Sequence, residues 1–235
     1  MKDQLIVLMD ADDTLLDFKK CERHAIEEIA DMLSIERKKE FCDSYHIVND
    51  NIWKEFEKGL VTIDEIAYKR FDRIFDMFGI RDVDSHEIGK IYKDCLSKHA
   101  ILFDGARECL QRISQKYRLF VITNGITYTQ KHRFEKAKLN QYFEKIFVSE
   151  QIGFRKPQKE FFDYVRVNID GYEDSKAVVV GDSMTSDIQG GRNAGITTIW
   201  FNLLGRENKQ NYTATYEVKN FDELETLLDT LQKKA

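Results

Sequence analysis

Asp10-Ala11-Asp12-Asp13-Thr14 follows directly on the apolar run Leu5-Ile6-Val7-Leu8-Met9. Such a run, rich in Leu, Ile and Val, reads as a buried parallel strand. Three carboxylates at the end of a buried strand are costly unless a cation sits among them. In open α/β sheets ligands gather at the carboxyl ends of the strands. The placement therefore suggests metal-assisted chemistry. The plainer alternative is a polar turn in which Asp12 or Asp13 caps a helix. Two later apolar runs also lead into polar signatures. Leu119-Phe120-Val121-Ile122 opens into Thr123-Asn124-Gly125, and Ala177-Val178-Val179-Val180 into Gly181-Asp182-Ser183-Met184-Thr185-Ser186-Asp187. Between them stands Lys156-Pro157, which holds the only proline of the chain. Taken singly, Lys156 reads as a solvated lysine, Thr123 as a strand-end residue, and Asp182 and Asp187 as helix-start acids.

Taken in order, the four segments resemble the motifs of the haloacid dehalogenase superfamily of phosphohydrolases. That pattern runs Asp-x-Asp-x-Thr, then Ser or Thr, then Lys, then Gly-Asp-x-x-x-x-Asp. A phosphate monoester is a dianion that repels an attacking carboxylate. Its hydrolysis needs charge neutralisation, an aligned nucleophile and a proton for the leaving oxygen. The resemblance implies one part for each task. Asp10 is the nucleophile that forms an aspartyl-phosphate. Asp12 protonates the leaving group, then activates the water that cleaves the intermediate. Asp10 and Asp182 ligate a metal through their side chains and Asp12 through its backbone carbonyl. Asp187 binds through water or orients another ligand. An all-oxygen site with few protein ligands suits Mg²⁺, with Mn²⁺ as the alternative. Lys156 offsets the charge of Asp10 and of the phosphate, and Pro157 stiffens the backbone beside it. Thr123 and the Asn124 backbone donate to phosphate oxygens.

Asp13 narrows the resemblance, because many superfamily members carry Gly at that position. Asp-Ala-Asp-Asp-Thr-Leu is similar to bacterial 5′-nucleotidases that act on pyrimidine and non-canonical nucleoside monophosphates. Val48-Asn49-Asp50-Asn51-Ile52-Trp53 and Phe147-Val148-Ser149-Glu150-Gln151-Ile152-Gly153-Phe154 share that likeness. Other readings stay open. A phosphatase for a sugar phosphate or phosphoglycolate is opposed only by the residues of the insertion described below. A 2-haloacid dehalogenase needs no second acid and no Mg²⁺, which Asp12 and the pair Asp182/Asp187 oppose. A phospho-accepting receiver domain needs its acceptor Asp on a strand well after the acidic pair, and that region reads as helical. A binding scaffold without activity is opposed by the completeness of the motifs.

The elements that must position these residues follow from the patterning. Strands are expected over 5–9, 118–123, 145–149, 177–181 and 197–202. From residue 105 they alternate with helices near 105–116, 127–138, 158–168, 184–194 and 221–233. That alternation argues for an α/β fold with a doubly wound parallel sheet. Thr127 and Asn220 read as N-caps, with Glu223 completing a capping box for the latter. Gly195 reads as a helix C′ glycine, and Gly190 and Gly191 as points of close helix–sheet approach. Residues 18–98 break the rhythm and carry helical patterns over 21–33, 38–58, 62–78 and 85–99. They form an all-helical cap inserted into a core made of residues 1–17 and 99–235. In the family such a cap selects the leaving group, and Asn49, Trp53, Phe56 and Arg70 are the candidates for base or sugar contact. Trp53 could stack on a base, but its helical spacing favours a buried aromatic of the cap.

Composition excludes several classes. At 235 residues and 42% hydrophobic, the chain can bury a substantial core, which argues against disorder. A net charge of −5 gives no support for nucleic-acid binding. No apolar run reaches membrane-spanning length, and a positively charged leader is missing, so a cytoplasmic protein is expected. Cys21, Cys42, Cys95 and Cys109 show no metal-ligand spacing and read as reduced thiols. The five histidines form no ligand pattern. The expected partner is a small phosphate monoester, most simply a nucleoside monophosphate, bound by a monomer or homodimer.

Overall fold

The computed structural model describes residues 4–234. Six strands form one sheet: β1 (Ile6–Met9), β2 (Arg118–Thr123), β3 (Lys145–Val148), β4 (Ala177–Gly181), β5 (Thr197–Phe201) and β6 (Tyr216–Val218). Their order is β3-β2-β1-β4-β5-β6 and every pairing is parallel. A strand can be apolar at every position only where both sheet faces are covered. β1 meets that condition, since Val7, Leu8 and Met9 are all solvent-excluded. Register then fixes the site. Met9 aligns with Val121 on β2 and with Val180 on β4, so the residues following three strands emerge along one edge. The strand order reverses direction at β1 and β4, which is where open α/β sheets leave a crevice.

One sheet face packs through alternate residues: Ile6 and Leu8, Phe120 and Ile122, Ala177 and Val179. Against them lie Phe161, Phe162 and Val165 of the helix Lys159–Val167 and Ala194 of the helix Gln189–Ala194. Glycine is required in the latter helix. A Cβ on Gly190 would lie 2.5 Å from the Phe162 ring, and one on Gly191 2.5 Å from the Thr198 methyl. Gly195 closes it in the left-handed conformation. The Asn220 side chain accepts from the backbone N–H of Glu223 at the start of the helix Phe221–Gln232.

The chain divides into two compact units, Met1–Asp17 with Leu102–Gly125 and Lys138–Ala235, and Phe18–Ile101 with Ile126–Ala137. The second is all-helical. It contains α1 (Phe18–Met32), α2 (Lys38–Glu57), α3 (Ile63–Phe78), α4 (Ser85–Ser97) and, after the helix α5 (Ala106–Ile113) of the α/β unit, α6 (Thr127–Lys136). Its core joins Cys21, Ala25 and Ile29 to Phe41, Tyr45, Phe71, Ile74, Ile88 and Tyr92. The Tyr45 ring lies 5.4 Å from both the Phe71 and Tyr92 rings. Thr62 and Glu65 form the capping box of α3.

The sequence pattern places residues 99–235 in the α/β core, whereas residues 99–101 and 126–137 group with the helical unit. Within that unit α6 packs on α4, and Arg133, 1% exposed, donates to the His99 carbonyl at 3.1 Å and lies over the Phe18 ring. Thr127 is the first residue of α6 rather than its cap, the N-cap position being Ile126. β6 was not expected, since only Val218 of its three residues is buried and no alternation marks it. The helix expected over 184–194 begins as a π-turn, Met184–Ile188, before continuing as Gln189–Ala194. All four cysteines are free and buried. Among the described residues no helix is long and apolar enough to cross a membrane.

Candidate active site

Lys156 organises the site. Its ammonium is buried and donates to Asp10 Oδ1 at 2.6 Å, to Asp187 Oδ1 at 2.6 Å and to the Ile122 carbonyl at 2.8 Å. Each acceptor hangs on a different part of the sheet. Asp10 follows β1, and its backbone N–H donates to the Val180 carbonyl at 2.8 Å. Ile122 lies in β2. Asp187 sits in the π-turn, which is started by the Ser183 side chain accepting from the Ser186 N–H. Gly181 permits Asp187 to lie close, since a Cβ there would meet Asp187 Oδ2 at 2.2 Å. Ser183 N–H donates to that oxygen at 3.1 Å. Burial disfavours the charged Lys156, but Asp10 and Asp187 outweigh it and hold its pKa above the ordinary lysine value.

Asn124 fixes the backbone that carries this lysine. Its amide donates to the Lys156 carbonyl and accepts from the Lys156 N–H, both at 2.9 Å. The bond from Lys156 to Pro157 is cis. Thr123 ends β2, 1% exposed, and its hydroxyl oxygen accepts from the Gly125 N–H at 3.0 Å. Thr14 links the two acidic loops. Its hydroxyl donates to Asp10 Oδ2 at 3.2 Å and accepts from the Asp182 N–H at 3.2 Å. The Trp200 indole on β5 donates to the Asp182 carbonyl at 2.9 Å. Arg206 pairs with Asp182 Oδ2 and, at 2.9 Å, with Asp13 Oδ2. The backbone at Asp12 and Leu16 forms an isolated bridge, and Leu16 bridges Leu102.

Asp10, Asp182 and Asp187 each bring a carboxylate oxygen to within 4.8 Å of the others. Burial, then the neighbouring carboxylate charges, push Asp182 well above the usual range, with Arg206 opposing. Burial and the charge of Asp187 likewise raise Asp10 to about 7, against the pull of Lys156. A site that drives two of its carboxylates toward the neutral form is short of positive charge. Three converging hard oxygen donors suit Mg²⁺ or Mn²⁺.

The sequence motifs thus converge in one unit: Asp10, Asp12, Thr123, Asn124, Lys156, Asp182 and Asp187 all belong to the α/β unit. Arg206 and Trp200 carried no sequence signal, because each acts through a contact to a residue distant in the chain. Thr14 stood inside the first motif without an assigned task. Asn49, Trp53, Phe56 and Arg70 belong to the helical unit. Asn49 donates to the buried Glu22 at 2.7 Å and accepts from Arg70 at 3.1 Å. The Arg70 guanidinium lies 4.4 Å from the centre of the Tyr92 ring. Phe56 packs with Ile52, Val61 and Ile66, and Trp53, partly buried, joins the same cluster. Glu22 also contacts His46 at 2.6 Å, and burial raises its carboxyl above the ordinary value.

Residues 7–201 match the family model described as haloacid dehalogenase-like hydrolase. The chain belongs to that family. It is 34% identical over 229 residues to the HAD-hydrolase YfnB of Bacillus subtilis, covering 97% of each chain. The crystal structure of YfnB bound to magnesium aligns with a TM-score of 0.90 at 33% identity, over 96% of this chain and 99% of that one. The pyrimidine 5′-nucleotidase PynA of Streptococcus pneumoniae is 34% identical over 224 residues, 95% of this chain and 94% of its own. The pyrimidine 5′-nucleotidase YjjG of Escherichia coli is 29% identical over 222 residues, 94% and 96% of the two chains. The hydrolase family and its α/β fold agree with the resemblance carried by the four sequence motifs.

Proposed function

We propose that this hydrolase is a Mg²⁺-dependent 5′-nucleotidase, cleaving pyrimidine or non-canonical nucleoside monophosphates through an aspartyl-phosphate. The observation that carries the reading is the buried Lys156 ammonium shared by Asp10 and Asp187 beside a third carboxylate, Asp182. Such a centre is organised for an anion that arrives with a cation. The nucleotide preference is supported by the two pyrimidine 5′-nucleotidase relatives and by Asp13.

The chain's own residues supply the following steps. Lys156 and Thr14 hold the two oxygens of Asp10, so the carboxylate is aligned before substrate arrives. Lys156, Thr123 and the Asn124 backbone bind phosphate oxygens and spread the charge that develops on them. Asp10 attacks phosphorus. The Asp10 oxygen–phosphorus bond forms as the ester oxygen–phosphorus bond breaks, and Asp12 gives its proton to the departing alcohol oxygen. Asp12, now a carboxylate, takes a proton from water as that water attacks phosphorus. Asp10 is released and inorganic phosphate leaves. Asp10, Asp182, Asp187 and the Asp12 carbonyl would hold Mg²⁺, which when bound supplies the positive charge that lets a carboxylate approach a dianion. The helical unit is read as the cap that selects the leaving group; of the sequence candidates Trp53 is partly exposed, while Asn49, Phe56 and Arg70 are buried against partners within that unit.

The test is phosphate release from UMP, dUMP, dTMP, CMP, AMP, GMP, phosphoglycolate and sugar phosphates, with Mg²⁺ and with EDTA. Metal-dependent release that favours the pyrimidine nucleotides is the expected result. Fast turnover of a sugar phosphate with none on any nucleotide would keep the phosphatase and reject the nucleotidase. Equal release in EDTA would reject the metal dependence.

A further inference from the structure

Arg206 lies on the loop after β5, and that loop is built to hold it. Asn202, 5% exposed, accepts from the Arg206 N–H at 2.7 Å and donates to the Arg206 carbonyl at 2.9 Å. The same amide donates to Glu217 of β6 at 2.8 Å, which ties the loop to the sheet edge. From this clamped backbone the guanidinium reaches two acids. One nitrogen donates to Asp182 Oδ2, and the other donates to Asp13 Oδ2 at 2.9 Å. Asp13 is held in turn: it adopts a φ of 58°, and its N–H donates to the Leu16 carbonyl at 2.8 Å. Arg206 therefore spans the loop after β1 and the loop after β4. It divides the carboxylate cluster with Lys156, which bonds Asp10 and Asp187.

We propose that Arg206 is a positioning residue, the resident counter-cation of Asp182, which holds that carboxylate in place and sets by repulsion how tightly the cluster takes a divalent cation. The proposal rests on reading Asp182 as a cation ligand. A guanidinium keeps its charge at every accessible pH, so the repulsion is constant. Its fork geometry lets one side chain grip Asp13 and Asp182 together, which a lysine ammonium on a flexible stem does less well. The contact to Asp13 gives an acid at this position a task that a glycine could not perform.

Isothermal titration calorimetry with Mg²⁺ alone, on the wild type, Arg206→Gln and Arg206→Lys, tests this. Thermal denaturation of the same proteins in EDTA accompanies it. In Arg206→Gln the Kd for Mg²⁺ is expected to fall about tenfold, since a unit charge a few ångströms away in a partly buried site is lost. The metal-free melting midpoint is expected to fall, because Asp182 loses its partner. Arg206→Lys keeps the charge and is expected to return the Kd to within about threefold of wild type. A merely structural role would lower the midpoint and leave the Kd unchanged or weaker. Either of those Kd results in Arg206→Gln overturns the proposal. If the wild type itself takes up no Mg²⁺, the reading of Asp182 as a cation ligand falls first and the proposal falls with it.

Discussion

Lys156→Met removes one ammonium and keeps most of its apolar stem, so it isolates the charge at the centre of the site. Three hydrogen bonds disappear, and Asp10 and Asp187 are left facing each other at 7% and 1% exposure. Breaking a buried ion pair from one side costs about 3–5 kcal/mol, because the remaining charge is uncompensated. Two carboxylates are stranded here, but either can take a proton, so about 4 kcal/mol is the expected loss at neutral pH. For a chain of this size each kcal/mol shifts the melting midpoint by roughly 2–4 °C. Thermal denaturation in EDTA should therefore show a fall on the order of 10 °C.

The sign of the pH dependence provides a second check. Burial raises Asp10 in the folded protein from 3.8 to about 7. A carboxyl raised on folding contributes stability that is fully present below its unfolded pKa and lost as pH rises through its folded pKa. Metal-free wild type should therefore lose stability between pH 3.8 and about 7 through this group. Lys156 pulls the Asp10 pKa down, so the methionine variant holds the Asp10 proton more tightly. Its deficit against wild type should be smaller at pH 5 than at pH 8. Adding Asp187→Asn to Lys156→Met should recover part of the loss, since a neutral amide needs no counter-charge. A deficit under about 1 kcal/mol, or one equal at both pH values, would refute the reasoning.

Asp10→Asn should lower turnover at least about a thousandfold, or about 4 kcal/mol of barrier, while the metal-free midpoint holds or rises because one crowded carboxylate is gone. Near-normal phosphate release would reject the nucleophile assignment. Gly181→Ala puts a Cβ 2.2 Å from Asp187 Oδ2 and must swing that carboxylate off Lys156. Calorimetry should show weakened Mg²⁺ binding, and an unchanged Kd would contradict the role given to Asp187. Gly89→Ala puts a Cβ 2.3 Å from the backbone oxygen of Ala67, where α3 and α4 meet. It should cost about 1–3 kcal/mol in chemical denaturation, and a neutral result would mean that the two helices separate freely.

Much of the fold was legible because it rests on local signals. Val178-Val179-Val180 and Leu5 to Met9 announce covered strands by having no polar face. The capping residues Thr62 and Asn220 mark helix starts with their own side chains. What escaped the sequence lacked such signals. β6 is three residues long with one buried, too short for a period to show. α6 groups with the helical unit and Arg133 is buried in it, but an arginine in a polar helix gives no sign that it will be buried. Asn49 and Arg70 were legible as chemistry-bearing residues, but not as a buried chain in which Arg70 donates to Asn49 and Asn49 to Glu22 inside the helical unit.

The candidate site divides along the same line, and the reason is electrostatic. Its acids Asp10 and Asp182 stand at strand ends, so each is announced by the apolar run before it. Its cations have no such context. Lys156 lies 146 positions from the aspartate it holds, and Arg206 lies 193 positions from Asp13. Lys156 was found only because Pro157 and the motif order marked it, and Arg206 had neither. Yet a cluster of buried carboxylates cannot persist without compensating charge, so each acid found in the sequence implied a cation still to be located. Lys156 answers for Asp10 and Asp187, and Arg206 for Asp182 and Asp13. Asp10 and Asp182 remain raised even so, and that residual shortage is the charge a divalent cation would supply. Occupancy by Mg²⁺ should therefore bring the Asp10 titration down toward the ordinary carboxylate range. If following that carboxyl by NMR with and without Mg²⁺ shows no downward movement, the shortage is not what the site is built around.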